Sequence, residues 1–243
     1  MRLQPLRDRS LVQSTPPSSS QTRIAIIAAL PGELKPLVQG WKQTGKHAWT
    51  GSIGDYPCIA IAGGMGAAAA NRAVAQANSE FHPNVLVSYG WAGALTCAIK
   101  PGMAASISEV IDLQSGKRFA TGDSAGTRLL TLNRVARLHE KRKLAERNQA
   151  VLVDMEAAAV ARLASQQKSR FYCFKGVSDG YTDRLPDFSR FISWEGELRM
   201  PAFLAYIGLR PWYWPSLVKL GTASRAAASA LATLARESLT QTL

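Results

Sequence analysis

Apolar runs of strand length alternate with alanine-rich segments along most of this chain. A run that is apolar at every position indicates a strand covered on both faces, as in parallel sheets. The predicted strands lie at residues 23–30, 58–62, 85–89, 103–113, 151–153 and 171–177, with 103–113 reaching an edge of the sheet. Strands that alternate with helices in this way predict an α/β protein, a three-layer αβα sandwich around a mixed, mostly parallel sheet.

The segments between these strands have helical character. A short helix follows the break at residues 31–33, and an alanine-rich helix runs from about residue 67 to residue 78. Residues 134–147 carry six Arg or Lys and two Glu, which is typical of a solvated helix. A second alanine-rich helix begins beside Asp154, whose carboxylate can accept the unpaired N–H groups of a helix start.

Composition indicates the size of the protein and the charge of its partners. The 243 residues are enough for one domain with a full core, which we assign to residues 23–243 with an aromatic and basic C-terminal helix. Residues 1–22 combine three Arg with a Ser/Pro-rich stretch, which predicts a disordered basic arm. The formal net charge of +12 favours anionic partners such as phosphate, nucleic acid or an acidic membrane face.

Cysteine and histidine are too scattered to indicate a disulfide framework or a metal site. The cysteines are Cys58, Cys97 and Cys173, and the histidines are His47, His82 and His139. An odd number of distant cysteines favours a reducing compartment. The N-terminus lacks the apolar run of a secretory signal, and no apolar stretch reaches the roughly 18 residues of a membrane span. We therefore expect a cytoplasmic protein with no metal and no cofactor.

A glycine turn after the second predicted strand invites comparison with dinucleotide-binding proteins. Residues 64–69 read Gly-Met-Gly-Ala-Ala-Ala and match the Gly-rich fingerprint between a strand and a helix. That fingerprint also needs an acidic residue at the end of the next strand, which here ends in Ser88, Tyr89 and Gly90. Nicotinamide or flavin binding is therefore disfavoured, although the turn still offers N–H groups to an anion or a polarised water.

Three carboxylates follow buried strands. Glu33 comes after the first strand, Glu156 after the short strand at 151–153, and Asp179 after the last one. Because the carboxyl ends of parallel strands meet at one rim of a sheet, we expect these acids and the glycine turns to converge there.

This order of motifs resembles the nucleoside phosphorylase and nucleosidase superfamily, especially the methylthioadenosine/S-adenosylhomocysteine nucleosidases. The matching segments cover most of residues 23–200 and are Ile26–Glu33, Gly63–Gly66, Gly90–Gly93, Val153–Ala157 and Val177–Asp179. The resemblance implies cleavage of the N-glycosidic bond of an adenine nucleoside, with release of adenine. Such a reaction passes through an oxocarbenium-like sugar, so its enzyme must stabilise positive charge and protonate the leaving base.

The resemblance also implies roles for individual residues. Asp179 matches the general acid that delivers a proton to purine N7, and Glu33 matches the residue that orients or deprotonates the attacking water. Glu156 matches the residue that binds the ribose hydroxyls, while Met155 would contact the sugar face. Further substrate contacts are expected from Gly64, Gly66, Ser178, Val135 and Trp91.

The chain departs from the pattern of this superfamily at several positions. Gly63 stands where a serine usually precedes the glycine turn, which removes a hydroxyl from the nucleophile site. Residues 130–135 replace the usual purine loop, so main-chain groups near Val135 would have to read the adenine edge. Trp91 replaces a small residue, and Lys175 stands where relatives often carry arginine.

Residues 130–135, the basic stretch at 140–145 and the C-terminal tail resemble a narrower branch, the hopanoid-associated phosphorylases that remove adenine from adenosylhopane. The tail joins Trp212, Tyr213 and Trp214 to a helix that bears Lys219, Arg225 and Arg236. Aromatic and basic side chains suit a membrane interface, which predicts peripheral contact at the inner face of the membrane. A core cap or a subunit contact is the alternative, and the superfamily resemblance implies a homodimer.

Two questions stay open at the level of sequence. The nucleophile is either water, which Glu33 favours, or phosphate, which the hopanoid resemblance and the glycine amides favour; phosphate needs a cation, for which Arg72 and Arg128 are candidates. The second question is whether the fold is catalytic. A non-catalytic protein that binds an anionic surface or nucleic acid would explain the charge, but no nucleic-acid-reading motif accompanies that charge.

Overall fold

The structure is a computed structural model that describes residues 21–183, 191, 193 and 199–243. Almost all of the predicted arm at 1–22 lies outside the described residues. The strands are β1 Ile24–Ala28, β2 Lys42–Gly45, β3 Ala48–Ile53, β4 Tyr56–Ala62, β5 Val85–Ala94, β6 Ala104–Asp112, β7 Arg118–Ala120, β8 Thr127–Thr131, β9 Leu152–Asp154 and β10 Arg170–Asp179. The helices are α1 Pro31–Leu34, α2 Ala67–Phe81, α3 Leu138–Asn148, α4 Ala157–Gln167, α5 Met200–Gly208 and α6 Trp214–Thr242, with a 3-10 turn at Pro211–Tyr213.

The strands form one mixed sheet whose centre is parallel. Strands β4, β1, β5 and β10 lie side by side and run in the same direction. Beyond β4, the antiparallel strands β3 and β2 extend the sheet. On the other side, β10 pairs with β6, β6 with β8, β8 with β9 and β9 with β5, so these five strands close into a ring.

Strand β1 shows why the central strands are apolar at every position. Ile24, Ile26 and Ala28 belong to the apolar cluster on one face of the sheet, whereas Ala25 and Ile27 belong to the cluster on the other face. All five residues are buried, because side chains alternate between faces and both faces are covered. Burial on both faces confirms the interpretation of such runs as covered strands.

Helices cover both faces of this sheet. On one face, α2 and α4 bury mainly alanines, and Val74 and Val160 join the same cluster. On the other face lie α6, which contributes Leu231 and Leu239, and the region of α1, which contributes Leu34. Helix α3 packs its Ala145 against a third cluster beside β8 and β9. The predicted αβα sandwich around a mixed sheet is therefore confirmed.

Several sequence-based expectations about the sheet were wrong. The segment predicted to reach an edge is β6, which has partners on both sides, β10 and β8, because the ring closes around it. Strands β2, β3, β7 and β8 were not predicted, since β2 is exposed along its whole length and β7 has only three residues. The segment 90–93, predicted to be a turn, continues β5.

Candidate active site

A cavity of about 300 Å³ opens where β1, β5, β9 and β10 end. Its wall combines apolar groups with a few charged ones, as in small-molecule sites generally. Glu33, Trp91 and Asp179 reach the cavity from the carboxyl ends of the parallel strands β1, β5 and β10. Asp154 and Glu156 reach it from the end of β9, which pairs antiparallel with the end of β5. Among the residues predicted for the site, the lining includes Glu33, Trp91, Val135, Met155, Glu156, Ser178 and Asp179.

Glu33 is buried and held by main-chain amides. Its Oε2 accepts hydrogen bonds from the amides of Ala29 and Leu30, both at 2.8 Å, and its Oε1 accepts one from Trp91 at 2.8 Å. Burial raises the pKa of this carboxyl, while the three amides and the charge of Lys175 act in the opposite direction. A Cβ atom at Gly90 would come within 2.8 Å of Oε1, so the glycine makes room for the carboxylate.

Glu156 stands at the start of α4 and reaches back to the glycine turn. Its Oε1 accepts the amide of Gly66 at 2.7 Å, and its Oε2 accepts the amide of Met155 at 3.3 Å. Burial raises the pKa of Glu156 to about 7, and the negative charge of Asp154 adds to the effect. A carboxyl with such a pKa changes its charge near neutral pH.

The glycine turn does not present its amides to the cavity as expected. Gly64 and Gly66 are not among the lining residues, although Met65 between them is. The Gly66 amide is already bonded to Glu156, and the Gly64 amide bonds the carbonyl of Ala29. The anion that the turn binds is thus a carboxylate of the protein itself.

Asp154 and Lys175 form an ion pair beneath this part of the cavity. Their Oδ2 and Nζ atoms are 2.8 Å apart, and the two side chains are 0% and 2% exposed. Asp154 also accepts the Thr131 hydroxyl at 2.7 Å and the amide of Ala157 at 2.9 Å, which confirms its expected role at the helix start. Burial lowers the pKa of Lys175, but the negative charges around it, Asp154 first, and its hydrogen bond to Asp154 together raise the pKa more, so the ammonium is retained.

Asp179 ends β10 and has side-chain partners instead of amides. Its Oδ1 accepts the Ser178 hydroxyl at 2.9 Å, and its Oδ2 lies 2.7 Å from the ammonium of Lys141. Gly93 is its neighbour on β5, where a Cβ atom would approach both carboxylate oxygens to 3.0 Å. The carboxylate therefore sits between two donors at the wall of the cavity.

Trp91 and Val135 line other parts of the wall. The Trp91 indole donates to the carbonyl of Ser224 at 3.1 Å and packs against Gly32. Val135 lies in the segment between β8 and α3, although residues 130 and 131 of the predicted loop belong to β8. Val135 thus lines the cavity from the expected loop, which is shorter than predicted and spans residues 132–137.

Sequence reasoning missed several residues of the wall, namely Lys141, Arg134, Leu220 and Ser224. Lys141 lies in the helix that we expected to be solvated, yet it is only 3% exposed. One signal could have revealed it: Leu138, Lys141 and Ala145 share the i, i+3, i+7 spacing of a buried stripe. The α6 residues Leu220 and Ser224 carried no comparable signal.

Neither cation suggested for phosphate lies at the cavity. Arg72 lines a separate surface recess with His47 and Gln76. Arg128 bonds Gln149 and pairs with Glu109. Arg134 does line the cavity, where it is paired with Glu140.

The fold matches those of solved nucleosidases and of a related hydrolase. The chain superposes on 5′-methylthioadenosine/S-adenosylhomocysteine nucleosidase from Helicobacter pylori, solved with butyl-thio-DADMe-Immucillin-A, with a TM-score of 0.67, 13% identity, and coverage of 91% of this chain and 99% of that one. Futalosine hydrolase from Helicobacter pylori superposes with a TM-score of 0.66 and 14% identity, and the match covers 90% of this chain and 98% of that one. The nucleosidase from Colwellia psychrerythraea, solved with adenine, superposes with a TM-score of 0.66 and 18% identity, and the match covers 92% of this chain and 96% of that one.

The sequence profile of the phosphorylase superfamily matches two overlapping segments, residues 23–137 and 124–198. The chain therefore belongs to the phosphorylase superfamily. No curated protein matches it by sequence. The solved structures share its fold at low identity, so they do not by themselves define its substrate.

Proposed function

We propose that this protein cleaves the N-glycosidic bond of an adenine nucleoside and releases adenine. The observation that carries the proposal is the convergence of Glu33, Glu156 and Asp179 on one largely apolar cavity. Three carboxylates at one site suit a reaction that develops positive charge on the sugar and needs a proton on the leaving base.

The geometry supports a division of labour among these acids. Glu156, with Met155 beside it, binds the ribose hydroxyls, and it accepts from them as a carboxylate when the pH is above its pKa of about 7. Asp179, oriented by Ser178, protonates the base at N7. The segment around Val135 contacts the edge of the base, and Trp91 narrows the cavity beside Glu33.

Water is the nucleophile that this site favours. A phosphate would need main-chain amides or cations, but the amides of Gly66 and Trp91 are bonded to Glu156 and Glu33. A second anion beside these carboxylates would be repelled unless one of them held a proton. Glu33 would instead orient the water and take its proton.

Base release with and without phosphate tests this proposal. Purified protein would be given methylthioadenosine, adenosine and adenosylhopane, and free adenine would be measured by chromatography. We expect adenine without phosphate, and we expect Glu33→Gln to reduce the rate by roughly 100-fold. The control is Glu80→Gln, which makes the same change at an exposed position on α2. Release only with phosphate would overturn the choice of water, and no release from any nucleoside would favour the alternative, a non-catalytic protein that binds anionic surfaces.

An exposed aromatic segment favours a lipid-linked substrate as a second proposal. Leu209, Trp212, Trp214 and Val218 are 78%, 66%, 52% and 69% exposed, which is unusual for neighbouring large apolar residues. Leu220 of the same helix lines the cavity. It follows Trp214 by six positions, which is a rise of only about 9 Å along the helix axis. Residues 199–236 contain five Arg or Lys and no acidic residue. This surface suits an anionic bilayer, from which adenosylhopane could enter the cavity.

Vesicle binding tests this second proposal. The wild type should sediment with vesicles that contain phosphatidylglycerol, and the double variant Trp212→Ser/Trp214→Ser should lose most of that binding. Leu113→Ser is the matched control, since Leu113 is exposed in the β6–β7 turn. Equal binding by the double variant would contradict membrane contact and favour a subunit contact instead.

No helix among the described residues is long and apolar enough to cross a membrane, so contact would be peripheral. A cytoplasmic homodimer remains our expectation for the assembly.

A further inference from the structure

Lys141 is a buried cation in direct contact with the proposed acid. Its Nζ donates to Asp179 Oδ2 at 2.7 Å and to the carbonyl of Gly180 at 2.8 Å. The side chains of Lys141 and Asp179 are 4% and 10% exposed, whereas the next residues of α3, Arg142 and Lys143, are exposed. Lysine is rarely buried without a partner or a task, because desolvation of an ammonium is costly.

Both carboxylate oxygens of Asp179 face proton donors. One oxygen accepts the Ser178 hydroxyl and the other accepts the Lys141 ammonium. A carboxylate held by two donors is an acceptor, and general-acid catalysis needs a donor. Among the described contacts of Asp179, the nearest group that can release a proton is the ammonium of Lys141.

We propose that Lys141 supplies the proton that departs with the purine base, acting through Asp179. This inference rests on the proposed cleavage of an adenine nucleoside. Lys141 Nζ releases a proton to Asp179, and Asp179 passes a proton to N7 while the electron pair of the C1′–N9 bond moves onto the base. Asp179 ends as a carboxylate and Lys141 as a neutral amine. The attacking water gives its proton to Glu33, and exchange with solvent returns Glu33 and Lys141 to their starting charges.

Lys141→Arg separates proton supply from simple charge placement. Arginine keeps the positive charge and can pair with Asp179, but a guanidinium does not lose its proton in proteins. We expect this variant to fold and to release adenine about 100-fold more slowly than the wild type. A wild-type rate in Lys141→Arg would overturn the inference, because charge alone would then be sufficient.

A substrate with an activated leaving group provides the second measurement. The 4-nitrophenolate of 4-nitrophenyl riboside departs as a stable anion and needs no proton, so Lys141→Arg and Lys141→Met should cleave this substrate at close to the wild-type rate. Parallel losses on both substrates would assign Lys141 a purely structural role and overturn the inference. Lys143→Met removes the same charge from an exposed position of α3 and serves as the control on both substrates.

The result also distinguishes this inference from the proposed function. Adenine release by the wild type together with parallel losses in the variants would overturn the role of Lys141 and leave the activity standing. Absence of adenine release by the wild type would overturn both. Thermal unfolding of Lys141→Arg close to that of the wild type would show that a slow rate is not caused by misfolding.

Discussion

Among the described residues, two lysines form buried ion pairs with aspartates, and the two pairs differ in how completely their aspartate is enclosed. Asp154 has no exposed side-chain surface and accepts from Lys175, Thr131 and the amide of Ala157. Asp179 retains some exposure at the cavity and accepts only from side chains, those of Lys141 and Ser178. The same two residue types thus make a closed pair in the core and an open pair at the site.

The difference teaches how one fold uses the same chemistry for two purposes. The closed pair fixes the start of α4, and its lysine offsets the negative charges of Glu33 and Glu156 from a distance. The open pair leaves lone pairs of Asp179 facing the cavity, where a ligand can reach them. We therefore expect changes in the closed pair to affect stability first and changes in the open pair to affect activity first.

The largest effect on activity is expected from Asp179→Asn. An amide cannot relay a proton to the base, so adenine release should fall by about 10²- to 10⁴-fold, the usual contribution of a general acid. The loss of stability should be smaller than for the closed pair, because Lys141 keeps its bond to the Gly180 carbonyl. Initial rates of adenine release and urea unfolding measure the two effects. An unchanged rate in this variant would show that Asp179 is not the general acid.

The closed pair should show the opposite balance. Lys175→Met leaves Asp154 as an unpaired buried charge, which typically costs about 3–5 kcal/mol in the free energy of unfolding. Lys219→Met is the matched control, since its pair with Asp183 is exposed on the lysine side and should contribute at most about 1 kcal/mol. Urea unfolding of the three proteins makes the comparison. Equal stability of both variants would contradict the view that the closed pair stabilises the core.

The surroundings of Asp154 could be predicted from the sequence, whereas the pairing of Lys141 with Asp179 could not. Asp154 and Glu156 stand where a buried strand meets a helix, and the apolar runs around them show which chain segments meet at the rim. Lys141 belongs to a helix rich in charged residues, where local pattern alone favours solvent exposure. Its burial depends on the closure of the ring of strands, which brings α3 and the end of β10 together. That closure depends on β8, which was not predicted, and on the pairing of β9 with both β8 and β5, which no local pattern in the sequence specifies.

The two glycines behind the cavity carboxylates allow the comparison to be sharpened without altering any charge. Gly90→Ala would place a Cβ 2.8 Å from Glu33 Oε1 and would force alanine into a φ of +148°, whereas Gly93→Ala would place one 3.0 Å from the oxygens of Asp179. Each change should cost about 1–3 kcal/mol through overpacking. We expect Gly90→Ala to be the more damaging to stability because of its backbone conformation, with thermal unfolding as the measurement. The reverse order would mean that the Asp179 side of the cavity is the more rigid one.

The smallest effect, and the one that connects the closed pair to the cavity, is the pH dependence of Glu156. Burial and the charge of Asp154 raise its pKa from 4.5 to about 7 in the folded protein. A raised pKa means that the folded state binds the proton more tightly, so the stabilisation is complete below about pH 4.5 and is lost as the pH rises through 7. The unfolding free energy of the wild type relative to Glu156→Gln should therefore fall by about 1–3 kcal/mol across that window. Urea unfolding at several pH values measures this difference, with Glu80→Gln as the exposed control. A difference that stays constant across the window would mean that Glu156 is ionised throughout, and that Lys175 and the Gly66 amide outweigh its burial.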